Sequence, residues 1–305
     1  MSNLIKLVGG GYEAVVDVSR GATCIGLRNA EYNASILREP DTESIDSYSF
    51  LYGMPILFPA NRISDGCFRF EGRRYVFPIN EPNTNCHVHG TLSKQPFEVV
   101  SVSADTVKCG FCEDYLGFPH KFRVEITYNL SENGLTQTVE IFNLSDTNMP
   151  VMLGFHTTFN VPFLSHSKKE NVRLLCDVSD EIERDTLNYL PTGRILLPDT
   201  VTDAIKNGEK LPLDGALSRH YKTGDGGRIE LVDIAENIKT VYETDQKFGF
   251  RLLFNGNASE YICLEPMPNM ANCANSPFDR EYAGFDHINP NSSKTYISKI
   301  YLQKI

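Results

Sequence analysis

The sequence of 305 residues contains no long apolar run and no basic, apolar leader at its amino terminus. A membrane helix needs about 18 or more consecutive apolar residues, and a secretory signal needs a basic segment followed by an apolar one. Basic residues are also in the minority, since 29 Lys and Arg stand against 39 Asp and Glu, and the formal charge of −10 repels polyanions. These absences predict a cytoplasmic protein whose partners include neither nucleic acid nor a membrane.

Several catalytic signatures are absent as well. The chain has no Gly-x-Ser-x-Gly nucleophile elbow, and the glycines at 9–11 precede neither a Lys-Ser/Thr pair nor a helix, so they predict a turn and not a phosphate-binding loop. Cys109 and Cys112 have the spacing of a redox or zinc pair, but no second pair and no βαβ pattern accompany them. In a large chain without a secretory signal, all eight cysteines are expected to be reduced thiols: Cys24, Cys67, Cys86, Cys109, Cys112, Cys176, Cys263 and Cys273.

Alternation of apolar and polar residues with a period of two is the pattern that is present. Residues 122–130 and 135–144 are β-branched and aromatic runs joined through 131–134, where an Asn-Gly pair favours a hairpin turn. Further strands are predicted at 97–103, 172–178, 228–233, 249–255 and 294–303, and helices only at 42–50 and 200–207. No repeat, low-complexity tract or change of composition marks a linker. The sequence therefore predicts one all-β domain over residues 1–305, built as an antiparallel sandwich or barrel.

Two of four places suited to chemistry lie in the first third of the chain. Arg62 stands in a loop before a predicted hairpin, where a guanidinium can donate a fork of hydrogen bonds to a polyhydroxylated or anionic ligand, or can simply be solvated. His87 and His89 are two residues apart, so in a strand both project to one face. That arrangement suits either a metal site, which needs a third ligand nearby, or an ordinary core.

The other two places are His156 and Glu265. His156 lies between an apolar strand and an aromatic loop, a setting shared by catalysts and by satisfied structural histidines. Glu265 is predicted at the end of an apolar strand, directly before Pro266. A carboxylate there is either a solvated charge that protects a sheet edge or a working acid or base.

Taken in order, these places resemble the aldose 1-epimerase (galactose mutarotase) family. The resemblance covers roughly residues 10–300, and it is the order of five short motifs that makes it specific, since each motif alone is common. The motifs are Asn61-Arg62-Ile63, His89-Gly90, His156-Thr157-Thr158-Phe159-Asn160, Pro191-Thr192-Gly193 and Glu265-Pro266.

This resemblance implies a galactose-mutarotase-like antiparallel β-supersandwich with a sugar as its small-molecule substrate. It implies that Glu265 is the general base that removes the proton of the anomeric hydroxyl, and that His156 is the acid that protonates the ring oxygen. Arg62 and His89 resemble the residues that hold the substrate. The reaction implied is the interconversion of α and β anomers by ring opening and closure, an isomerase activity with no cofactor and no metal.

The sequence also departs from the family pattern. It has no tryptophan, so stacking on a sugar is expected from Phe or Tyr, such as Phe248 or Phe250. The sugar-binding Asp that many members carry has no clear counterpart, because Asp214 is shifted and Ser218 or Arg219 lies nearer the expected place. An arginine there suggests a phosphorylated sugar, since guanidinium binds phosphate with two hydrogen bonds.

Three alternatives to a mutarotase of free aldoses stay open at this point. One is a hexose-6-phosphate mutarotase, and another is a non-catalytic carbohydrate-binding protein on the same scaffold. The third is a metal-dependent β-sandwich enzyme in the manner of cupins, with His87 and His89 as ligands, which the lack of an acidic residue soon after His89 weakens.

Overall fold

The computed structural model describes residues 3–41, 50–114, 118–224, 226–258 and 260–305. Strands make up 52% of it and helices 7%, so the all-β prediction is confirmed. The strands of the described residues are β1 (Leu4–Gly9), β2 (Tyr12–Asp17), β3 (Thr23–Asn29), β4 (Ala34–Ser35), β5 (Ile56–Leu57), β6 (Arg62–Ser64), β7 (Cys67–Phe70), β8 (Arg73–Val76), β9 (Cys86–Val88), β10 (Glu98–Val102), β11 (Thr106–Asp114), β12 (Lys121–Ser131), β13 (Gly134–Asn143), β14 (Met149–Val151), β15 (Gly154–Phe155), β16 (Thr157–Asn160), β17 (Val172–Cys176), β18 (Val178–Arg184), β19 (Pro191–Leu196), β20 (Ser218–Thr223), β21 (Arg228–Asp233), β22 (Ile238–Thr244), β23 (Phe250–Phe254), β24 (Tyr261–Met267), β25 (Asp286–Ile288) and β26 (Ser292–Lys304). The helices are α1 (Thr200–Lys206) and the 3₁₀ turns Pro82–Thr84, Leu92–Lys94, Lys169–Asn171 and Cys273–Asn275.

Two large antiparallel sheets dominate the architecture. The eight-stranded sheet has the order β10-β11-β12-β13-β26-β22-β21-β17, and the six-stranded sheet has the order β16-β24-β23-β20-β18-β19. A four-stranded sheet, β1-β2-β3-β4, and several two-stranded pairs complete the structure. Strand β26 pairs with both β13 and β22, so the carboxyl-terminal strand lies near the middle of the largest sheet.

Aromatic side chains fill the space between the two large sheets. The rings of Phe159 on β16 and Tyr242 on β22 lie 5.5 Å apart between centroids, and the hydroxyls of Thr157 and Tyr242 lie 2.9 Å apart. All three side chains are buried. Burying one aromatic side chain of this kind contributes about 1.5–3 kcal/mol to the free energy of folding. The apolar residues that face inward along each strand therefore hold the two sheets together.

The predicted strands are found close to their expected limits. The runs at 122–130 and 135–144 become β12 and β13, which Ser131 and Gly134 close as a hairpin, with the positive φ of +90° on Gly134. The run predicted at 172–178 instead divides at Asp177. Its backbone leaves the eight-stranded sheet there and enters the six-stranded sheet as β18, and the Asp177 carboxylate accepts a hydrogen bond from the backbone N–H of Gly226.

The predicted helix at 200–207 is also confirmed as α1. Asp199 caps it, because its carboxylate accepts a hydrogen bond of 2.8 Å from the backbone N–H of Thr202. The helix predicted at 42–50 lies outside the described residues except for Phe50, which is in a turn. Within the described ranges, every helix is too short or too polar to cross a membrane.

Gly134 offers a test of how tightly the central hairpin is packed. A Cβ at this position would lie 2.1 Å from the Ile300 carbonyl oxygen, whereas at Gly72, with φ of +79°, a Cβ would meet nothing within 4 Å. We expect Gly72→Ala to cost about 1–2 kcal/mol for the left-handed backbone alone, and Gly134→Ala to cost about 1–3 kcal/mol more for the added clash. Urea unfolding of both variants measures this difference, and equal losses would show that the hairpin is not constrained by β26.

Candidate active site

Glu265 lies in the middle of a strand and not at its end. Strand β24 continues through Pro266 to Met267, and Pro266 is paired in register with Arg251 on β23. The prediction that the strand ends at Glu265 is wrong, because Pro266 can continue it without breaking a pairing. The ladder between β16 and β24 ends at the pair Thr157 and Leu264, so it does not need the backbone N–H that Pro266 lacks. The side chain of Glu265 is only 2% exposed, which rules out a solvated edge charge.

His156 is brought to Glu265 by the same ladder. It directly precedes β16, whose first residue, Thr157, pairs with Leu264, and its backbone N–H donates a hydrogen bond of 3.1 Å to the Pro55 carbonyl. The imidazole Nε2 lies 3.2 Å from Oε1 of Glu265, and the His156 side chain is 4% exposed. The two predicted catalytic residues are therefore in direct contact.

Burial sets the protonation of this pair. It raises the pKa of Glu265 to about 8, against smaller opposing effects of Arg184 and Arg62, and it lowers the pKa of His156 to about 4. At pH 7 the contact is consequently a hydrogen bond between a protonated carboxyl and a neutral imidazole, and not an ion pair. Oε2 of Glu265 and Nδ1 of His156 are buried and have no hydrogen-bond partner among the described residues. Buried polar atoms without partners are unusual in proteins, so these positions are suited to a ligand.

Arg62 is held in place by a carboxylate and a ring. Its Nε and Nη2 donate to the two carboxylate oxygens of Glu81 at 2.6 and 2.8 Å, and its guanidinium carbon lies 4.8 Å from the centre of the Tyr189 ring. Burial alone would raise the pKa of Glu81, but the hydrogen bonds from Arg62 and Thr84 outweigh it and lower the pKa. This bidentate pair fixes the direction of the guanidinium.

His89 and His87 diverge although they are two residues apart. His89 has a φ of +61° and lies just after β9, so strand alternation stops before it. The His89 ring lies 5.5 Å from the ring of His156 at an angle of 87°, and burial lowers its pKa, with smaller contributions from His156 and Arg62. His87 instead hydrogen-bonds through Nδ1 to the Pro78 carbonyl at 2.8 Å and stacks on Phe77.

The four residues predicted for the site line one cavity of about 360 Å³, a volume typical of small-molecule sites. Register explains part of the lining, because Leu252 on β23 pairs with Glu265 and both face the cavity. The complete lining is Phe50, Asn61, Arg62, Glu81, Val88, His89, His156, Arg184, Tyr189, Ser218, Leu252, Phe254, Asn257 and Glu265.

Aromatic side chains at the cavity differ from those predicted. Phe248 and Phe250 are each 2% exposed and lie in the core, so their prediction as stacking residues is wrong. Phe50 instead presents an exposed ring at the cavity. It is 38% exposed, and its ring centroid lies 4.8 Å from that of His89 and 4.9 Å from that of His156. Tyr189, 42% exposed, is the second open ring, and its place two residues before the Pro-Thr-Gly motif was the signal for it.

The region of the expected sugar-binding Asp also differs. Asp214 lies outside this cavity and lines a separate pocket that Lys169 and Glu170 also line. Arg219 is paired with Glu181 at 2.7 Å and Asp199 at 2.8 Å, so its prediction as a phosphate ligand is wrong. Ser218, the other candidate, does line the cavity.

Arg184 stands beside Ser218 in the same cavity and was not foreseen. Its Nη2 donates to the backbone oxygen of Ser218 at 2.7 Å and to its Oγ at 2.9 Å. Arg184 ends β18 in the stretch "VSDEIER", whose charged residues look like a solvated edge. Only the pairing of β18 with β20 brings it to the cavity, so no signal in the sequence alone marked it.

The metal alternative on His87 and His89 finds no support in the donor set. Within the described part of the chain, one group of three ligand atoms of His, Cys, Asp or Glu lies close together, that of His156, Cys263 and Glu265, within 4.8 Å. Burial raises the pKa of the Cys263 thiol well above its usual value, and the thiol lies 3.4 Å from the hydroxyl of Thr158. A neutral thiol and a carboxyl bonded to imidazole form a poor metal site.

The fold is that of galactose-mutarotase-like proteins. A galactose mutarotase-like protein from Clostridium acetobutylicum superposes with a TM-score of 0.94, covering 99% of this chain and 95% of the other at 29% identity. The GalM/aldose epimerase homologue from Caenorhabditis elegans has a TM-score of 0.80 over 100% of both chains at 17% identity, a likeness of fold alone. The supersandwich prediction is thus confirmed.

The model of the aldose 1-epimerase family matches residues 3–290, and the chain belongs to that family. Among curated proteins, the uncharacterized protein YihR of Escherichia coli K12 is 27% identical over 154 residues. That match covers 50% of this chain and 48% of YihR, so the chain spans about half the length of this curated relative.

The raised pKa of Glu265 predicts a pH dependence of stability. Because the folded state holds the proton more tightly than the unfolded chain, this contribution is complete below the ordinary pKa of 4.5 and is lost as the pH rises through about 8. His156, whose pKa falls from 6.5 to about 4, acts in the opposite sense but only below pH 6.5.

We therefore expect the free energy of unfolding to fall by about 1–2 kcal/mol between pH 6.5 and 8.5, since one titrating group gives at most about 1.4 kcal/mol per pH unit. The Glu265→Gln variant should lose this decline. Urea unfolding at both pH values measures it, and parallel behaviour of the two proteins would mean that Glu265 does not carry the raised pKa.

Proposed function

We propose that this protein is an aldose 1-epimerase, a mutarotase that interconverts the α and β anomers of an aldose by acid–base ring opening. The observation that carries the proposal is the contact of 3.2 Å between His156 Nε2 and Glu265 Oε1 in the cavity that Arg62 and His89 also line. Membership of the aldose 1-epimerase family supports it.

The chemistry needs two proton transfers on neighbouring oxygens of one sugar. Glu265 takes the proton of the anomeric hydroxyl while His156 gives a proton to the ring oxygen. The bond between C1 and the ring oxygen breaks, and the electron pair of the anomeric hydroxyl forms the aldehyde. After rotation about the bond between C1 and C2, the reverse transfers close the ring from the other face. Because both oxygens are attached to C1, an acid and a base in contact with each other match this geometry.

For this exchange the pair must carry one titratable proton, held either by the Glu265 carboxyl or by the His156 imidazole as imidazolium. In the resting state that proton is on Glu265. Its transfer along the hydrogen bond to His156 produces a carboxylate, which acts as the base, and an imidazolium, which acts as the acid. The two forms differ only in where the proton lies, so no exchange with solvent is needed. The fully protonated pair has no base, and the fully deprotonated pair has no acid.

Arg62 and His89 are proposed to hold the sugar over this pair. Arg62 is fixed by Glu81, and Nδ1 of His89 is buried without a partner among the described residues, so it is available to a sugar hydroxyl. The open rings of Phe50 and Tyr189 supply apolar surface for the C–H face of a pyranose.

Removing either member of the pair should suppress catalysis. A positioned acid or base contributes about 10²–10⁴ in rate, so we expect Glu265→Gln and His156→Asn each to lose that factor in kcat above the spontaneous reaction. Saturation-transfer NMR of α and β glucose and galactose measures the exchange.

Matched surface variants provide the control for these two substitutions. His166 and Glu236 form a contact of 3.4 Å and are 49% and 39% exposed, far less buried than the proposed pair. His166→Asn and Glu236→Gln should keep the wild-type rate. Unaltered exchange in both Glu265→Gln and His156→Asn would remove the acid and base assignment.

The rate should also depend on pH in a bell shape. The form with one proton on the pair exists between the two ionisations, at about pH 4 and about pH 8, so kcat/KM should be level between them and fall on both sides. Rates from pH 3.5 to 9.5, corrected for the spontaneous reaction, measure the profile. A rate that stays level beyond pH 9 would contradict the role of Glu265.

A further inference from the structure

Arg184 is a cation in the cavity, and its hydrogen-bond partners among the described residues are neutral. It is the last residue of β18, it is half-buried, and its guanidinium donates through Nη2 to the backbone oxygen and the hydroxyl of Ser218, at 2.7 and 2.9 Å. Nε and Nη1 donate to none of the described residues. A guanidinium has five N–H donors and stays charged at any physiological pH, so most of its capacity is unused here.

The carboxylates around Arg184 are engaged elsewhere. Glu81 is bound by Arg62 at 2.6 Å, and Glu181 is bound by Arg219 at 2.7 Å. Glu265 is bonded to His156 at 3.2 Å and holds its proton because burial raises its pKa. Across residues 3–41, 50–114, 118–224, 226–258 and 260–305, no carboxylate oxygen lies within 4.0 Å of Arg184.

The other titratable neighbours do not offset the charge. His220 is fully buried on β20, and burial followed by the field of Arg184 lowers its pKa to about 3, so this imidazole is neutral. Arg62 adds a second positive charge near Arg184. Burial lowers the pKa of Arg184, with Arg62 acting in the same sense and Glu265 opposing both.

A charge that is partly removed from water without an opposite charge is destabilising, and proteins seldom keep one without use. The other guanidinium that lines the cavity in the described structure, that of Arg62, forms a salt bridge with Glu81. The same holds for Arg219 on the opposite face of β20, which two carboxylates neutralise. Arg184 is therefore the position at which an incoming oxyanion gains a charge-assisted hydrogen bond, donated by Nε or Nη1.

We propose that Arg184 is the anion receptor of this cavity and that the preferred substrate is an aldose carrying an oxyanion substituent, a phosphate, sulfonate or carboxylate, away from C1. This inference rests on the proposed mutarotase function and narrows its substrate class. Glu265 and His156 engage C1 and the ring oxygen, so the anion must be on a carbon that ring opening leaves untouched. C6 is the one pyranose carbon outside the ring and is the first position to test.

The test compares anomer exchange of glucose with that of three charged relatives: glucose 6-phosphate, glucuronate and 6-deoxy-6-sulfoglucose. We expect kcat/KM of the wild type to be at least about 10-fold higher for one of the charged sugars than for glucose, and the charged sugar with the highest value identifies the oxyanion. In Arg184→Gln the value for that sugar should fall about 10- to 100-fold, mainly through KM, and the value for glucose should fall far less.

Two variants serve as controls. Arg184→Lys keeps the charge without the fork and should recover only part of the preference. Arg194→Gln removes an arginine that is 74% exposed and bound to Glu183 on the neighbouring strand, and it should leave both activities unchanged. Thermal unfolding of all three variants checks that they fold, and Arg184→Lys takes over as the test if Arg184→Gln does not.

Failure of this inference is distinguishable from failure of the proposed function. Equal kcat/KM for glucose and all charged sugars, with Arg184→Gln changing them by one common factor, would overturn the anion receptor and leave the mutarotase standing. If no sugar is accelerated, calorimetric titration with glucose 6-phosphate, glucuronate and the sulfonate decides. Binding that is lost in Arg184→Gln supports the receptor without the catalyst, and no binding of any of them overturns it.

Discussion

The contact between the Glu265 carboxyl and the His156 imidazole depends on a single stretch of antiparallel ladder. Strand β16 pairs with β24 from Thr157 to Asn160, and His156 and Glu265 are the residues just beyond the first pair, Thr157 with Leu264. A shift of one residue in this register would turn one of the two side chains to the opposite face of the sheet. Because the rings of Phe159 and Tyr242 pack between the two large sheets, that register is fixed by the core and not by the site itself.

Removal of water from this contact explains why neither group is charged at rest. A carboxyl and an imidazole on the surface would form a weak ion pair, whereas here both side chains are almost completely buried and share one proton. The same burial leaves Oε2 of Glu265 and Nδ1 of His156 without partners in the part of the chain that the structure describes. A buried polar atom without a partner costs free energy, and a ligand with many hydroxyls can satisfy such atoms. Thus the feature that costs stability also suits the sugar ligand proposed above.

Much of the fold could be predicted because strands are marked by a local alternation of apolar and polar residues. The hairpin of β12 and β13, the strand β21 and the capped helix α1 all follow from short patterns. His156, Glu265, Arg62 and His89 could be proposed from the order of their motifs, and they do line one cavity.

The rest of the site could not be predicted, because it depends on which face of the sheet each strand residue points to, and neighbouring residues point to opposite faces. Ser218 and Arg219 are neighbours in sequence, yet Ser218 faces the cavity and Arg219 faces Glu181 and Asp199. Whether an arginine is neutralised depends on which carboxylates other side chains have already bound, and that is a property of the whole sheet. The same applies to Phe50, whose place against His89 and His156 no local pattern encodes.

The Arg62 side chain is ordered by its contacts with Glu81 and Tyr189. A free arginine loses up to about 2 kcal/mol of rotamer entropy when it is ordered. In this protein Glu81 and Tyr189 have already immobilised the side chain, so folding bears that loss before any sugar arrives. A ligand that bonds to Arg62 therefore does not have to offset the ordering of this side chain.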